Sequence, residues 1–321
     1  MRILVTTTSY QDTPGRHHDL LRQSGHEIVT DRGPLPEKRM LELVTSGGGF
    51  DGLLHGDDEI TRKVIEAALP RLKVLSKYGI GLDSVDVQAA TGLKVPVCFT
   101  PGVNHTTVAE HTFGLMIMLA KQLLPHANAV KKGEWKRHTG IELAGKTMGI
   151  LGLGRIGKEV AKRARAFDMQ TIAYDVYWDE PFAHQFGVFR AASADEVADK
   201  ADVLSLHMNL TDDNRHYINR DRIARMKDGA MVINCARGGL IHEADVAEAC
   251  KTGKLLGYAA DVLEHEPIKT PHPFQDVANI IITPHIGSRT FESVERQAVM
   301  STENLLRMLK GDRPLAQANS F

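Results

Sequence analysis

Gly152-Leu153-Gly154-Arg155-Ile156-Gly157 is the stretch that most narrows what this chain can become. It follows the apolar run "TMGIL" (147–151). It opens a segment in which Ile156, Val160, Ala161, Ala164 and Phe167 are spaced for one face of a helix. Between a strand and a helix, the first glycine permits a tight turn, the second lets a pyrophosphate approach the backbone, and the third lets helix and strand pack closely. The helix start offers unbonded N–H groups and a partial positive charge to the phosphates. Asp175 ends the next strand, "QTIAY" (170–174), where a carboxylate accepts hydrogen bonds from an adenosine ribose. A carboxylate there repels a 2′-phosphate, and Val176, Tyr177 and Trp178 bring no cation to neutralise one. The pattern therefore predicts NAD, rather than NADP, as cofactor.

The glycine loop comes almost halfway along the 321 residues, and what precedes it has a pattern of its own. "RILVT" (2–6), "DGLLH" (51–55) and "KVLSK" (73–77) read as buried strands, with amphipathic segments such as "TRKVIEAAL" (61–69) between them. That alternation predicts a parallel sheet covered on both faces. It restarts at 147–151 and continues through 170–174, "DVLSL" (202–206), "AMVIN" (230–234), "GYAA" (257–260) and "NIIIT" (279–283). Pro101 and Gly102 break the first module, and Asn104 or Thr106 is placed to cap a long helix within 100–124. The segment 290–311 reads as a last helix that returns to the first module. The expected fold is α/β with two doubly wound parallel-sheet domains. A Rossmann NAD-binding domain (101–288) is inserted into a flavodoxin-like substrate domain (1–100 plus 289–321).

Composition removes other classes of function. A net charge of −1 steers the chain toward neither nucleic acid nor membrane. Three widely spaced cysteines, Cys98, Cys235 and Cys250, make neither a disulfide framework nor a metal site, which suits a reducing cytoplasm. The N-terminus enters a strand pattern directly, with no signal peptide. The apolar run "FGLMIMLA" (113–120) is too short to span a bilayer and reads as a buried or interface helix. "KRARAF" (162–167) reads as the solvated face of the helix after the glycine loop.

Three stretches follow strands of the second module: "NCARGGLI" (234–241), "DVLEHEP" (261–267) and "TPHIG" (283–287). Ligands of open α/β sheets bind at the carboxyl ends of strands, so Arg237, Glu266 and His285 share the edge where a nicotinamide lies. Their chemistry suits reduction of a 2-oxo acid. Arginine grips a carboxylate with two hydrogen bonds. Histidine titrates in the range needed to protonate a carbonyl oxygen. A neighbouring carboxylate favours the imidazolium, and Glu266 is the candidate for that role.

These motifs, with "SKYGIGLDSVD" (76–86), "TPGVNHTTVAEHTFGLMIMLA" (100–120), "GKTMGILGLGRIG" (145–157) and "VINCARGGLI" (232–241), resemble the D-isomer-specific 2-hydroxyacid dehydrogenase family of phosphoglycerate, hydroxypyruvate and glyoxylate reductases. The resemblance implies that Arg237 binds the substrate carboxylate and carbonyl and that His285, paired with Glu266, is the acid/base. It implies that Asp261 faces the nicotinamide carboxamide and that Thr107 lies near the cofactor phosphates. Arg155, Ile156, Cys235 and Ala236 become further cofactor contacts. Backbone groups of Tyr78, Gly79, Ile80 and Gly81 line the substrate cleft, and the helix starting near Asn104 makes a homodimer. His55 stands where phosphoglycerate dehydrogenases commonly carry a phosphate-binding arginine, and Asp57 and Asp58 follow it, pointing to solvent or weakening an anion site. This favours an unphosphorylated acid such as hydroxypyruvate, glyoxylate or a sugar-derived 2-oxo acid, with 3-phosphoglycerate as the alternative. A regulator resembling the family's NAD-sensing corepressors is the alternative of another class.

Overall fold

A computed structural model describes residues 1–321, which divide into two compact units, Met1–Asn104 with Arg289–Phe321, and His105–Ser288. The first unit holds five parallel strands, β1 (Arg2–Val5), β2 (Glu27–Thr30), β3 (Gly52–His55), β4 (Val74–Lys77) and β5 (Val97–Cys98), in the order β2-β1-β3-β4-β5. β3 and β4 are buried along their whole length, because helices cover both faces and each side chain meets apolar neighbours. On one face lies the helix Phe291–Lys310, capped by Thr290 at its start and stopped by Gly311 in the left-handed conformation. Val294, Ala298, Leu305 and Leu309 are its buried apolar residues. It lies on β3 and β4 so closely that a Cβ on Gly52 would come within 2.7 Å of Leu305. The Ser76 hydroxyl donates to the Ser301 carbonyl at 2.7 Å. The chain end is tied down too: Asn319 accepts from Val97 N at 2.8 Å and donates to Val95 O at 2.9 Å.

The second unit holds seven parallel strands: β6 (Thr147–Leu151), β7 (Gln170–Tyr174), β8 (Val188–Arg190), β9 (Val203–Leu206), β10 (Ala230–Asn234), β11 (Leu255–Ala260) and β12 (Ile280–Ile282). Their order is β12-β11-β10-β9-β6-β7-β8, so the winding reverses between β6 and β9, the point at which such sheets bind ligands. The glycine loop follows β6, and the helix Arg155–Ala166 buries Gly157, Val160, Ala161 and Ala164.

Several expectations are corrected. Three strands were not expected: β2 and β8 are half-exposed edges without an apolar run, and β5, though buried, has only two residues. The segment 100–124 is not one helix. The helix His105–Ala120 ends before Gln122, which is left-handed (φ 51), and a second helix, Leu123–Lys131, follows. Asn104 does not cap through its side-chain oxygen Oδ1, which is buried without a partner, and Thr106 lies inside the helix. Phe167 ends its helix exposed, touching Phe113 rather than joining the core. Asp58 does not point to solvent: it is fully buried and accepts from the Thr6 hydroxyl and from Gly56 and Leu35 N–H groups.

Candidate functional site

The loop after β6 has the shape its glycines require. Gly152 has φ 95, and a Cβ there would come within 2.6 Å of the His207 carbonyl group, which follows β9 across the switch point. At Gly157 a Cβ would strike the Gly152 carbonyl. At Gly154 it would meet nothing, and no side chain caps the helix that starts at Arg155. The loop is thus closed behind and open in front, with unbonded helix N–H groups facing the opening. Asp175 holds it in place, accepting from Leu153 N at 2.6 Å and from Tyr177 N at 2.8 Å. A carboxylate oxygen has a second lone pair, so both can still accept ribose hydroxyls. Val176 and Tyr177 beside it are exposed. This donor set fits a dinucleotide and gives a 2′-phosphate no cation from the chain next to Asp175.

The strand ends on the other side of the switch point carry the chemistry. The ring Nδ1 of His285 lies 2.7 Å from Glu266 Oε2, and the second oxygen of Glu266 accepts from Leu263 N at 2.9 Å. Glu266 accepts, so Nδ1 carries the proton of that bond. His285 has φ 53, a left-handed backbone that a residue with a Cβ adopts only where its surroundings impose it. Its backbone is anchored on Asp261, whose main-chain oxygen accepts from His285 N at 2.9 Å. The Asp261 carboxylate accepts from Thr283 Oγ1 at 2.6 Å, Ile286 N at 2.8 Å and Gly287 N at 2.6 Å. Burial alone would raise the Asp261 carboxyl; hydrogen bonds from His111, Thr283 and these N–H groups outweigh it and hold the group below its ordinary value.

Arg237 precedes the turn Gly238–Leu240 and donates from Nη1 to the Ala236 carbonyl at 2.7 Å. A Cβ on Gly238 would collide with the Leu263 main chain, so the arginine turn lies directly on the Glu266 loop. Asn234, fully buried at the end of β10, braces the turn: it accepts from Ala236 N at 3.0 Å and donates to Arg237 O at 2.9 Å. Cys235 is a neutral thiol, pushed up to about 12 by burial. Thr107 is buried one helical turn before His111, whose Nε2 lies 2.9 Å from Thr283 Oγ1. Asn234 and His111 escaped the sequence reading, although both lie inside its motifs, because each acts through a contact remote in sequence.

The structure therefore brings Glu266 and His285 into contact, lays the Arg237 turn against their loop, and places the glycine loop and Asp175 together. Tyr78, Gly79, Ile80 and Gly81 lie in the first unit, just after β4. There Tyr78 N donates to His55 O at 2.8 Å and Gly79 N to Thr100 Oγ1 at 3.0 Å. His55 itself is corrected as a ligand contact: its side chain is 0% exposed, with Nδ1 on Gly56 O and no partner for Nε2. Burial, then the nearby Lys77 charge, pushes its pKa down to about 4, so it is neutral and offers no positive charge to an anion.

Residues 113–287 match the family described as D-isomer specific 2-hydroxyacid dehydrogenase, NAD binding domain. A D-3-phosphoglycerate dehydrogenase of Methanocaldococcus jannaschii is 39% identical over 97% of this chain, which spans only 58% of that protein's length. A glyoxylate reductase of Thermofilum pendens is 37% identical over 82% of this chain and 79% of its own. The crystal structure of the TT0316 protein from Thermus thermophilus superposes with a TM-score of 0.90 at 36% identity, covering 99% of this chain and 100% of the other. With a family model over more than half its length and a relative 37% identical over 82% of this chain and 79% of its own, the chain belongs to the D-isomer specific 2-hydroxyacid dehydrogenase family.

Proposed function

We propose that the protein is an NAD-dependent oxidoreductase acting on a small, unphosphorylated 2-oxo or 2-hydroxy acid. The observation that carries this reading is the 2.7 Å bond from His285 Nδ1 to Glu266, on the strand-end edge that also bears the dinucleotide loop. Bound NADH supplies a hydride to the carbonyl carbon. The Arg237 guanidinium holds the substrate carboxylate and polarises the carbonyl. His285 delivers a proton from Nε2 to the carbonyl oxygen, and Glu266 keeps Nδ1 protonated, fixes the ring and stabilises the imidazolium. The loop glycines, Arg155, Ile156 and Thr107 would hold the pyrophosphate, and Asp175 the ribose. Cys235, Ala236 and Asp261 would flank the nicotinamide.

Preference for an unphosphorylated acid rests on the turn after β3. His55 is held neutral there, and the Lys77 ammonium is already engaged by Gly56 O and by Asp57. We place the protein in the cytoplasm as a homodimer. No helix is long and apolar enough to cross a membrane. The helix Leu123–Lys131, which follows His105–Ala120, buries none of its residues within the chain.

The test is NADH oxidation with glyoxylate, hydroxypyruvate and 3-phosphohydroxypyruvate. The expected result is turnover with one of the first two, slower turnover with the phosphorylated acid or with NADPH, and loss of at least about 100-fold in kcat in His285→Ala with NADH affinity retained. Inactivity with every acid favours the regulator. Preference for the phosphorylated acid reverses the substrate assignment.

A further inference from the structure

Two carboxylates of one loop, Glu264 and Glu266, each meet a histidine, and both histidines have left-handed backbones. Glu266 bonds His285 (φ 53). Glu264 bonds His216 (φ 52), whose Nε2 lies 2.9 Å from Oε1. The backbone of His216 is held by the other loop of the site: its N–H donates to Gly239 O at 2.7 Å, within the turn that follows Arg237. Arg215 reaches the same Glu264 oxygen at 3.1 Å. Glu264 N donates to Glu243 Oε1 at 3.0 Å, and the other oxygen of Glu243 lies 3.2 Å from His272 Nε2, farther along the Glu266 loop. One residue thus joins the arginine turn by its main chain and the glutamate loop by its ring. Neither the sequence motifs nor the chemistry described above calls on it.

We propose that His216 is a positioning residue, which ties the Arg237 turn to the Glu264–Glu266 loop and so sets the spacing between the guanidinium that anchors substrate and the imidazole that protonates it. This inference rests on the site reading above. Reaction rates are steep in such spacings: a displacement of about 1 Å costs on the order of 100-fold. A residue that merely supported the fold would alter the melting temperature and leave the turnover of folded molecules alone.

The side chain and the backbone of His216 are separable. His216→Asn keeps a residue that tolerates positive φ and is too short to reach Glu264. His216→Gln keeps a donor of nearly the original reach. Glu264→Ala removes the acceptor from the other side. Four measurements are made on the full chain: kcat and KM with NADH and glyoxylate or hydroxypyruvate, NADH affinity by fluorescence, thermal midpoint, and amide exchange over 262–266. We expect His216→Asn and Glu264→Ala to lose at least tenfold in kcat, raise KM, bind NADH within twofold of the parent, and exchange faster over 262–266. His216→Gln is expected to recover most of the kcat. A kcat within twofold of the parent in His216→Asn, unchanged exchange, or no recovery with glutamine overturns the proposal. If His216→Asn does not fold, Glu264→Ala decides by the same criteria. Turnover that survives His285→Ala sinks the site reading instead, and the exchange measurement still reports whether His216 holds the loop.

Discussion

Arg237 is fixed close to the chain by its own bond to the Ala236 carbonyl, and Asn234 fixes the turn from below. A guanidinium held this way loses little rotamer freedom when it grips a carboxylate. Arg237→Ala is therefore expected to lower kcat and raise KM together, losing about 100-fold or more in kcat/KM, with Arg237→Lys intermediate. Steady-state kinetics over a substrate series checks this; an effect on KM alone would make Arg237 an anchor remote from the reacting carbonyl. That Arg237, Glu266 and His285 share one edge of the sheet was legible in the sequence, because they are the chemistry-bearing residues in the stretches that follow apolar runs. Asn234, His111 and His216 were not, since what each does depends on a partner in a different segment: Arg237 O, Thr283 and Glu264.

At the scale of elements, the interior strands were readable, and of the four edge strands only β12 was. β6, β7 and β10 agree with their apolar runs end to end, because a strand buried on both faces has no choice of residue type. β2 and β8 lie at sheet edges, where polar residues are tolerated and the signal fades. β3 hides a further property. Its last residue, His55, stays neutral in the folded chain down to about pH 4, whereas an unfolded histidine titrates near 6.5. Between these values the unfolded chain takes up a proton that the folded chain refuses, so stability falls as pH drops from about 6.5 toward 4 and is regained above that range. The contribution of His55 is roughly 1–3 kcal/mol. His207, half-buried and shifted down by desolvation to about 3, acts in the same direction. Denaturant unfolding at pH 7 and pH 4.5 measures the slope. His55→Gln is expected to reduce it, and an undiminished slope in that variant removes His55 as its source.

At the scale of the whole molecule, the helix Leu123–Lys131 bears on assembly. Leu123 (46% exposed), Leu124 (42%) and Val130 (53%), with Trp135 (76%) just beyond, present more apolar surface than an isolated helix face needs. If a second copy covers this surface, the double variant Leu123→Glu, Val130→Glu shifts the mass read by light scattering from two chains to one. An unchanged mass puts the interface elsewhere. The two-module plan was visible in the repeat of strand and helix patterns on either side of residue 100. The break at Gln122 was not, because nothing in the residue type announces a left-handed backbone there.

The helix Phe291–Lys310 lies on β3 and β4, yet it is translated after all seven strands of the other sheet. A nascent chain emerging from the ribosome therefore completes the inserted unit while the first still lacks the helix that covers β3 and β4. The early strands wait, with Leu54 and Val74 uncovered, until the last helix is made. During synthesis the opening hundred residues are therefore expected to expose apolar surface longer than the nucleotide module does.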